Sequence, residues 1–300
     1  MSNTQNHPPE TRALLANESA LKATRLGLAN LQTKIQSEIT RLPHLAGIRD
    51  YNRTNLEVAV QHYKGIIGDA RMLDVGASIH GFALDSADQL GCREYIGIDL
   101  DVTRHWGTPL LAVSSGDRNH LLCQMDAHRL WFEDESMDLV VCLSGFEHYL
   151  FPELVLAEML RVMRKGATAL INYEPIWTCS YGHHLHHFGL GYEQVPPWSH
   201  LFLTKAQMGA LLETKNWPAD CGVTRAQAVE WIYDGREINR RDVHFHDRLL
   251  RQVQCTEVLW QLPHPDPAAQ AQSAAYYAAS LLPYTRDELL TRGFSYCFRK

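Results

Sequence analysis

The segment RMLDVGASIHGFALDSADQLGCREYIGIDLD, residues 71–101, decides the fold of this 300-residue chain. Met72–Val75 is a short run typical of a strand that is buried on both faces of a parallel sheet. Small residues follow at 76–81, and the apolar stripe after them predicts a helix. Glu94–Ile98 predicts a second strand, and Asp99 stands at its carboxyl end. The segment therefore predicts a strand–turn–helix–strand unit.

Such a unit is half of a nucleotide-binding fold, and its residues indicate which kind of nucleotide ligand it suits. The small residues let a ligand approach the backbone, the helix N-terminus offers free amide groups, and Asp99 can accept hydrogen bonds from ribose hydroxyls. A dinucleotide fingerprint would read G-x-G-x-x-G, whereas this turn reads GASIHG. Asp74 precedes the turn, and a carboxylate there suits a cationic or amine-bearing ligand better than a phosphate.

Further motifs follow this unit in a fixed order. Residues 124–141 place an acid and an alanine ahead of another strand, FEH stands at 146–148, and a helix and turn lead into a fifth strand. Together, over residues 71–174, these motifs resemble the class I S-adenosylmethionine-dependent methyltransferases. Ser78 and His80 stand where the family's usual D/E-x-G-x-G-x-G motif has its second and third glycines.

The resemblance implies a Rossmann-like α/β fold with a seven-stranded, mostly parallel sheet and helices on both faces. It also implies S-adenosylmethionine as the cofactor, with Asp99 at the ribose, Asp126 and Ala127 at the adenine, and Asp74 near the amino group of the methionine part. The alternative is that each acid caps a turn or helix. The full set of expected cofactor-binding residues is Asp74, Gly76, Ala77, Ser78, His80, Asp99, Leu100, Asp126, Ala127, Leu143 and Ser144.

Around these motifs, the pattern predicts one domain with an extension and two insertions. Residues 1–54 form an N-terminal helical extension, with a helix over 11–47, and residues 55–300 form the methyltransferase domain with insertions at about 174–203 and 235–291. Further strands are predicted at Leu121–Gln124, Asp138–Leu143, Thr168–Tyr173, Ala226–Tyr233 and Gly293–Lys300, and further helices at 55–67, 152–164, 238–258 and 268–282.

The N-terminal helix has two interpretations. Its apolar stripe is formed by residues spaced by sevens, Leu14, Leu21, Leu28, Ile35 and Leu42. A single stripe mostly indicates packing on the core of the same molecule. The alternative is a lid, or a homodimer formed through the N-terminal helices.

Composition and charge exclude several kinds of partner. The net charge is −6, whereas binding to a nucleic-acid backbone relies on concentrated Lys and Arg. No apolar run approaches the roughly 20 residues that span a bilayer, and MSNTQNHPPE at the amino terminus lacks the apolar core of a secretory signal. Seven scattered cysteines without a C-x-x-C pair indicate reduced thiols. We therefore predict a cytoplasmic protein with a small-molecule acceptor and no nucleic-acid or membrane partner.

Methyl transfer requires an aligned nucleophile, the exclusion of water and often a base. Histidine is the natural base near neutral pH, and YGHHLHHF at 181–188 follows the fifth strand closely enough to cover the site. Two other interpretations of this stretch are a metal site, since imidazoles also bind zinc and iron, and a solvated polar loop. No cysteine or acid stands at ligand spacing from these histidines, so we predict no metal site. The candidate catalytic residues are His148, His183, His184, His187, Glu147 and Glu174.

The predicted function is methyl transfer from S-adenosylmethionine to a small molecule, in particular O-methylation of a sugar or secondary metabolite. The sequence LSGF at 143–146 differs from the Asn/Asp-Pro-Pro-aromatic motif of the enzymes that methylate nucleic-acid amino groups. One alternative is an NAD(P)-dependent oxidoreductase, for which Tyr296 and Lys300 form the single Tyr-x-x-x-Lys pair. Another is a catalytically silent, methyltransferase-like binding protein. His244 and His246 are expected at the surface, since residues two apart lie on different faces of a helix.

Overall fold

The computed structural model describes residues 24–43, 45–77 and 80–300 of the chain. The strands in these residues are β1 (Thr24–Gly27), β2 (Arg71–Val75), β3 (Glu94–Asp99), β4 (Leu110–Ser115), β5 (Arg118–Gln124), β6 (Met137–Leu143), β7 (Met163–Tyr173), β8 (Glu257–Pro265) and β9 (Thr291–Arg299). Together these nine described strands form one sheet in the order β1-β4-β5-β3-β2-β6-β7-β9-β8.

Helices cover both faces of this sheet. They are α1 (Leu28–Arg41), α2 (Leu45–His62), α3 (Phe82–Gln89), α4 (Val102–Trp106), α5 (Pro152–Val162), α6 (Ser199–Phe202), α7 (Lys205–Glu213), α8 (Arg225–Tyr233), α9 (Val243–Arg251), α10 (Ala269–Leu281) and α11 (Arg286–Leu289). Two single turns of 3-10 helix lie at Ile67–Asp69 and Leu185–Phe188. Among the described helices, none combines the length and the hydropathy that crossing a bilayer requires.

The central strands pair in parallel, which confirms the Rossmann-like α/β fold. Strand β2 lies between β3 and β6, β3 pairs with β5 and β6 pairs with β7, all in parallel. The antiparallel pairs are β4 with β5, β7 with β9 and β8 with β9. The predicted count of seven strands is wrong, because the described residues add β1 and β4 at one edge. β4 forms a hairpin with β5 around Gly116, where the loop-like residues of the turn hide the strand pattern.

Two elements between β7 and β9 also differ from the prediction. Residues 226–233 form helix α8 and not a strand, since Thr224 and Gln227 make a capping box that starts a helix there. The additional strand between β7 and β9 is β8, which the sequence pattern did not predict. It contains Pro263 and Pro265 and lies at the edge of the sheet, where proline is tolerated. The predicted helix over 238–258 is limited to α9.

The N-terminal extension packs on the core of the molecule. Of the predicted helix over 11–47, the part before Thr24, with Leu14 and Leu21, lies outside the described residues. Thr24–Gly27 is a strand, paired with β4, and α1 follows it. Leu31 and Ile35 of α1 are buried against α3 and the sheet, whereas the outward side of α1 carries polar residues. A homodimer through these helices stays a prediction.

The side chains of each central strand alternate between two apolar layers, as a sheet buried on both faces requires. Leu73 and Val75 point into one layer, which α5 and α9 cover, and Met72 points into the other, which α1, α2 and α3 cover. The residues after β7 add two smaller clusters, one of them around the fully buried Trp198. The sheet is thus held rigidly from both sides, and its carboxyl edge carries the loops that face the site.

Candidate functional site

A cleft of about 410 Å³ opens where the central parallel strands end. Carboxyl ends of parallel strands meet at one edge of an open sheet, which is where ligands of such folds bind. Loops after β2, β3, β5 and β6 form the walls, and the segment between α8 and α9 closes one side. The lining residues are Gly76, Ile98, Asp99, Leu100, Asp101, Met125, Asp126, Ala127, His128, Ser144, Gly145, His148, Tyr149, Arg236 and Glu237.

The turn after β2 requires glycine at its first position. Gly76 has a φ of 77°, in the left-handed region, and a Cβ atom there would lie 2.6 Å from the hydroxyl oxygen of Tyr149. The backbone amides of Gly76 and Ala77 both donate to the carbonyl of Ile98 at 2.9 Å, which ties the turn to β3. Bare backbone therefore faces the cleft, with the Tyr149 hydroxyl above it.

Asp99 lies at the carboxyl end of β3 and lines the cleft with Leu100. Its Oδ1 accepts a hydrogen bond from the Asp101 amide at 3.0 Å, which orients the carboxylate at the strand end. Leu100 is 65% exposed. A half-buried carboxylate in this position can accept hydrogen bonds from two neighbouring hydroxyl groups.

Asp74 lies within β2 and its side chain does not line the cleft. Its Oδ2 accepts from the Tyr95 hydroxyl at 2.7 Å, and its Oδ1 is buried with no hydrogen-bond partner in the described part of the chain. Burial raises the pKa of this carboxyl to about 7. A buried acceptor of this kind has bonding capacity left for an added donor.

Asp126 and Ala127 form the wall after β5. Asp126 Oδ1 accepts from the backbone amide of His128 at 2.9 Å and from its Nδ1 at 2.7 Å. Burial alone would raise the pKa of Asp126, but these two hydrogen bonds lower it overall. Ala127 is buried. The wall thus presents an ionised carboxylate beside a small apolar side chain.

Of the four other expected cofactor-binding residues, the structure places one in the cleft. Ser144 lines the cleft with a φ of 55°, whereas Leu143 is buried within β6. Ser78 lies outside the described residues. His80 points away from the cleft, since its Nδ1 lies 2.9 Å from the Glu38 carboxylate of α1.

His148 is the candidate base that the structure places in the cleft. Its Nδ1 lies 2.5 Å from the carbonyl oxygen of Glu237, and because a carbonyl can only accept, Nδ1 carries the proton. Nε2 then bears the lone pair and lies 3.9 Å from Glu147 Oε1. Burial lowers the pKa of His148. The ring is therefore a neutral imidazole. The Glu237 carbonyl orients it through Nδ1, and Nε2 is the nitrogen that can accept a proton.

Glu147 is buried next to this histidine. Burial raises its pKa to about 8, and its Oε2 has no hydrogen-bond partner among the described residues. Asn239 holds the segment, because its amide donates to the Glu147 carbonyl at 3.0 Å and its Nδ2 to the Phe146 carbonyl at 2.6 Å. At neutral pH the Glu147 side chain is mostly a protonated carboxylic acid, which can donate a hydrogen bond.

Glu174 is occupied by other partners. His264 Nδ1 lies 2.9 Å from its Oε2, and the Arg292 guanidinium donates to its Oε1 at 3.1 Å. The hydrogen bond from His264 is the main reason that the pKa of Glu174 is lowered. The residue does not line the cleft, and its two partners are the expected surroundings of a structural carboxylate.

The structure divides the histidines of residues 183–187 between two places. His184 lies 5.0 Å from His148 and 5.7 Å from His187 between ring centroids, so these three form a connected group. His183 instead faces His200, at 5.3 Å. Burial lowers the pKa of His183, His184, His187 and His200, which keeps these four imidazoles neutral.

Sequence reasoning missed several residues of the site region, among them Tyr51, Tyr149, Arg236 and Glu237. Tyr149, Arg236 and Glu237 line the cleft. Tyr51 of α2 donates to Asn172 Oδ1 at 2.8 Å and accepts from the Ser144 hydroxyl at 3.2 Å, at the ends of β7 and β6. Tyr149 carries a local signal, since it directly follows the FEH motif, whereas Tyr51 is brought in from far away along the chain.

The structure also differs from two further expectations, which concern Tyr296 with Lys300 and His246. Tyr296 and Lys300, the pair that an oxidoreductase would need, lie in and after β9, where Lys300 Nζ donates to the Met163 carbonyl at 2.8 Å, away from the cleft. His246 is fully buried and packs 4.9 Å from Tyr173, and not at the surface, because α9 turns its apolar face onto the sheet.

Comparison with known proteins points to one kind of domain. Residues 73–171 match the family model described as a methyltransferase domain. Uncharacterized methyltransferases of Mycobacterium avium and Mycolicibacterium paratuberculosis are 33% and 32% identical to this chain over 114 residues, 38% of its length. The match spans 42% of each relative's own length. An S-adenosylmethionine-dependent methyltransferase of Mesorhizobium loti superposes with a TM-score of 0.46 at 14% identity, covering 81% of this chain and 96% of that one.

Proposed function

Residues 73–171 form a domain of the class I S-adenosylmethionine-dependent methyltransferase family, and from that premise we propose that the chain methylates a small molecule at oxygen. S-adenosylmethionine is the methyl donor of this family. The acceptor we propose is a hydroxyl group of a sugar or secondary metabolite.

The observation that carries the proposal is the convergence of Gly76, Asp99, Asp126 and His148 on one cleft. Three of these residues offer the contacts that a nucleoside with a cationic side arm needs: bare backbone, a carboxylate at the end of β3 and a second carboxylate after β5. The fourth is a neutral imidazole in the same space. Binding groups and a base thus lie in one cleft, whose walls are formed by the loops at the carboxyl ends of the strands.

The residues in the cleft suit the cofactor part by part. Asp99 would accept hydrogen bonds from the ribose hydroxyls, and Asp126 with Ala127 would contact the adenine. The Gly76 turn would pass beside the methionine part, where any side chain at this position would meet the Tyr149 hydroxyl. The Oδ1 of Asp74 has no hydrogen-bond partner among the described residues, and it would accept a hydrogen bond from the methionine part through an ordered water.

When bound, S-adenosylmethionine supplies a methyl group that passes to the acceptor oxygen as the bond from carbon to sulfur breaks, so the acceptor must lose one proton. His148 Nε2 is placed to take that proton, because the Glu237 carbonyl holds the ring in the tautomer that leaves Nε2 basic. His184 and the protonated Glu147 would position the acceptor by hydrogen bonds.

The polarity around His148 supports a neutral, hydroxyl-bearing acceptor. His184 and His187 are kept uncharged by burial, and burial also keeps the neighbouring Glu147 protonated at neutral pH. Neutral imidazoles and a carboxylic acid both donate and accept hydrogen bonds, as a hydroxyl group does. A permanently charged acceptor would find no counter-charge in this group of three side chains.

Calorimetric titration with S-adenosylhomocysteine tests the binding half of the proposal. Asp99→Ala should weaken binding at least tenfold, because a pair of charge-assisted hydrogen bonds contributes about 1.5–3 kcal/mol. Asp117→Ala is the matched control, since Asp117 is an exposed acid in the turn of the β4–β5 hairpin. Equal affinity of both variants would place the cofactor elsewhere, and binding of NAD(P)H in its place would overturn the reaction class.

Transfer of isotope-labelled methyl groups to a panel of sugars and phenols tests the acceptor half. Label in an alkali-stable ether of a hydroxyl compound is the expected result. Label found in an amine or at carbon, with binding of the cofactor intact, would contradict O-methylation and leave the cofactor assignment standing.

A further inference from the structure

A second cluster of titratable side chains lies outside the cleft and takes no part in the proposed reaction. Glu38 comes from α1, His80 from the turn before α3, and His105 from α4. Glu38 Oε2 lies 2.9 Å from His80 Nδ1, and Glu38 Oε1 lies 3.1 Å from His105 Nε2. The two rings are 5.1 Å apart between centroids, nearly at right angles.

The three ligand atoms have the chemistry and the spacing of a cation site. One atom from each side chain can be chosen so that all three lie within 4.8 Å of one another. A tetrahedral zinc ion with ligands at about 2.0–2.2 Å holds its ligand atoms about 3.4 Å apart.

The hydrogen-bonding state of the cluster is a second, independent observation. His105 Nε2 is buried and, although it lies close to Glu38, has no partner in hydrogen-bond geometry among the described residues. Glu38 itself is only 8% exposed. Lys34, one turn earlier on α1, places its Nζ 3.5 Å from the centre of the Trp106 ring. The charge of Lys34 is thus directed to the indole, and His105 Nε2 is left without a hydrogen bond inside the cluster.

We propose that Glu38, His80 and His105 bind a single Zn²⁺ ion. One carboxylate oxygen and two imidazole nitrogens are ligands that zinc accepts, and a water molecule would complete the tetrahedron. This proposal departs from the expectation of no metal site, which concerned the histidine-rich loop at 181–188. The ligands proposed here are other residues, which the fold brings together from three separate elements.

The position of the site gives the ion a structural consequence. His80 lies in the turn that begins at Gly76, and His105 lies one short helix beyond Asp99. The ion would therefore fasten α1 to both segments that lead into the cofactor cleft. Because zinc would bind the folded chain and not the unfolded one, it should raise the thermal midpoint of unfolding as its concentration increases.

Titration of the chelator-treated full-length chain with Zn²⁺ alone tests the site. One equivalent should bind to wild type, and Glu38→Gln and His105→Ala should each weaken binding at least tenfold. His244→Ala, at a half-exposed position on α9, is the matched control and should leave the affinity unchanged. A second control is the double variant His186→Ala/His187→Ala, which removes two loop histidines outside the cluster.

Cobalt substitution keeps the proposal testable if a variant folds poorly. Co²⁺ bound to the wild-type chain should give the intense visible absorption of a tetrahedral nitrogen and oxygen site, and Zn²⁺ should displace it. The absence of one-equivalent binding in the wild type would overturn the proposal. So would zinc binding that is lost in the loop double variant and retained in Glu38→Gln and His105→Ala.

Discussion

Two neighbouring titratable residues, the buried Glu147 and His148 at the cleft, differ in protonation because of what surrounds each of them. Burial disfavours the charged form in both, so the acid keeps its proton and the imidazole lacks one. The Glu237 carbonyl then decides which nitrogen of His148 holds its single proton. One neighbour can thus donate a hydrogen bond while the other accepts a proton.

The first prediction concerns the pH dependence of catalysis. His148 can take a proton only when neutral, and burial lowers its pKa below the ordinary value of 6.5. Activity should therefore rise with pH to a plateau, with a midpoint below 6.5. His148→Ala should lower kcat about 10²–10⁴-fold and remove this acid limb, as measured by initial rates from pH 5 to 8. His244→Ala should behave as wild type, and a His148→Ala variant with an unchanged profile would assign the base to another residue.

The second prediction concerns the pH dependence of stability. The pKa of Glu147 is about 8 in the folded chain, against 4.5 ordinarily. Between these values the folded state holds a proton that the unfolded state has lost, so this residue makes the chain less stable as pH rises towards 8. Glu147→Gln should remove that loss and be more stable than wild type at pH 8.5, by a few kcal/mol.

Urea denaturation at pH 5 and pH 8.5 measures this effect. Near pH 5 the variant and the wild type should differ by less than about 1 kcal/mol. Glu133→Gln, at an exposed position, should show no pH-dependent difference. An identical pH dependence for Glu147→Gln and wild type would mean that Glu147 is already ionised in the folded chain.

At the scale of elements, the turn between β2 and α3 combines two requirements that can be separated by experiment. Gly76 has both a left-handed backbone and a close neighbour, the Tyr149 hydroxyl. Gly166 has a similar φ of 81°, but no described atom lies within 4 Å of a Cβ placed there. The two positions therefore share the conformational strain and differ in the steric clash.

The third prediction compares alanine at these positions. Gly166→Ala should cost about 1–2 kcal/mol of stability from backbone strain alone. Gly76→Ala should cost more, and should weaken S-adenosylhomocysteine binding at least tenfold because the turn must move. Denaturation and calorimetry on the same samples measure both effects. Equal losses of stability and unchanged cofactor affinity in both variants would show that the Tyr149 side chain moves aside with no loss of stability or binding.

At the scale of the whole molecule, the described part of the N-terminal extension, from Thr24 onwards, packs with the rest of the fold. Strand β1 extends the sheet, and α1 packs against α3 and the turn that carries the site. Leu31 is fully buried and its Cδ1 would be 3.2 Å from a Cβ on Gly81. Loss of this packing should therefore disturb the turn at the cofactor cleft and also lower the overall stability.

The fourth prediction follows from that packing. Leu31→Ala should lower the free energy of unfolding by about 2–5 kcal/mol, as expected for a leucine truncated in a close-packed core. Leu42→Ala, at a position 38% exposed, should lower it by about 1 kcal/mol or less. Similar losses in the two variants, measured by urea denaturation, would mean that α1 detaches before the core unfolds.

The central unit was predictable because its signals are local. The apolar strand, small-residue turn and terminal acid lie within one stretch of chain, and Gly76, Asp99, Asp126 and Ser144 follow directly from knowing where strands end. The acid and the histidine of residues 146–148 are likewise found from a local motif. Hydrophobic periodicity and turn residues act over a few positions, so they predict the strands and turns of this part of the fold correctly.

Tertiary structure alone decided the features that join distant residues. The addition of Thr24–Gly27 to the sheet depends on pairing with β4, far along the chain. The contact of Tyr51 with Asn172, the tautomer of His148 and the meeting of Glu38 with His80 and His105 likewise depend on partners far along the chain. The reason is physical: burial, pKa and hydrogen-bond partners come from packing across the chain, whereas sequence periodicity carries only the preference of each segment for its own conformation.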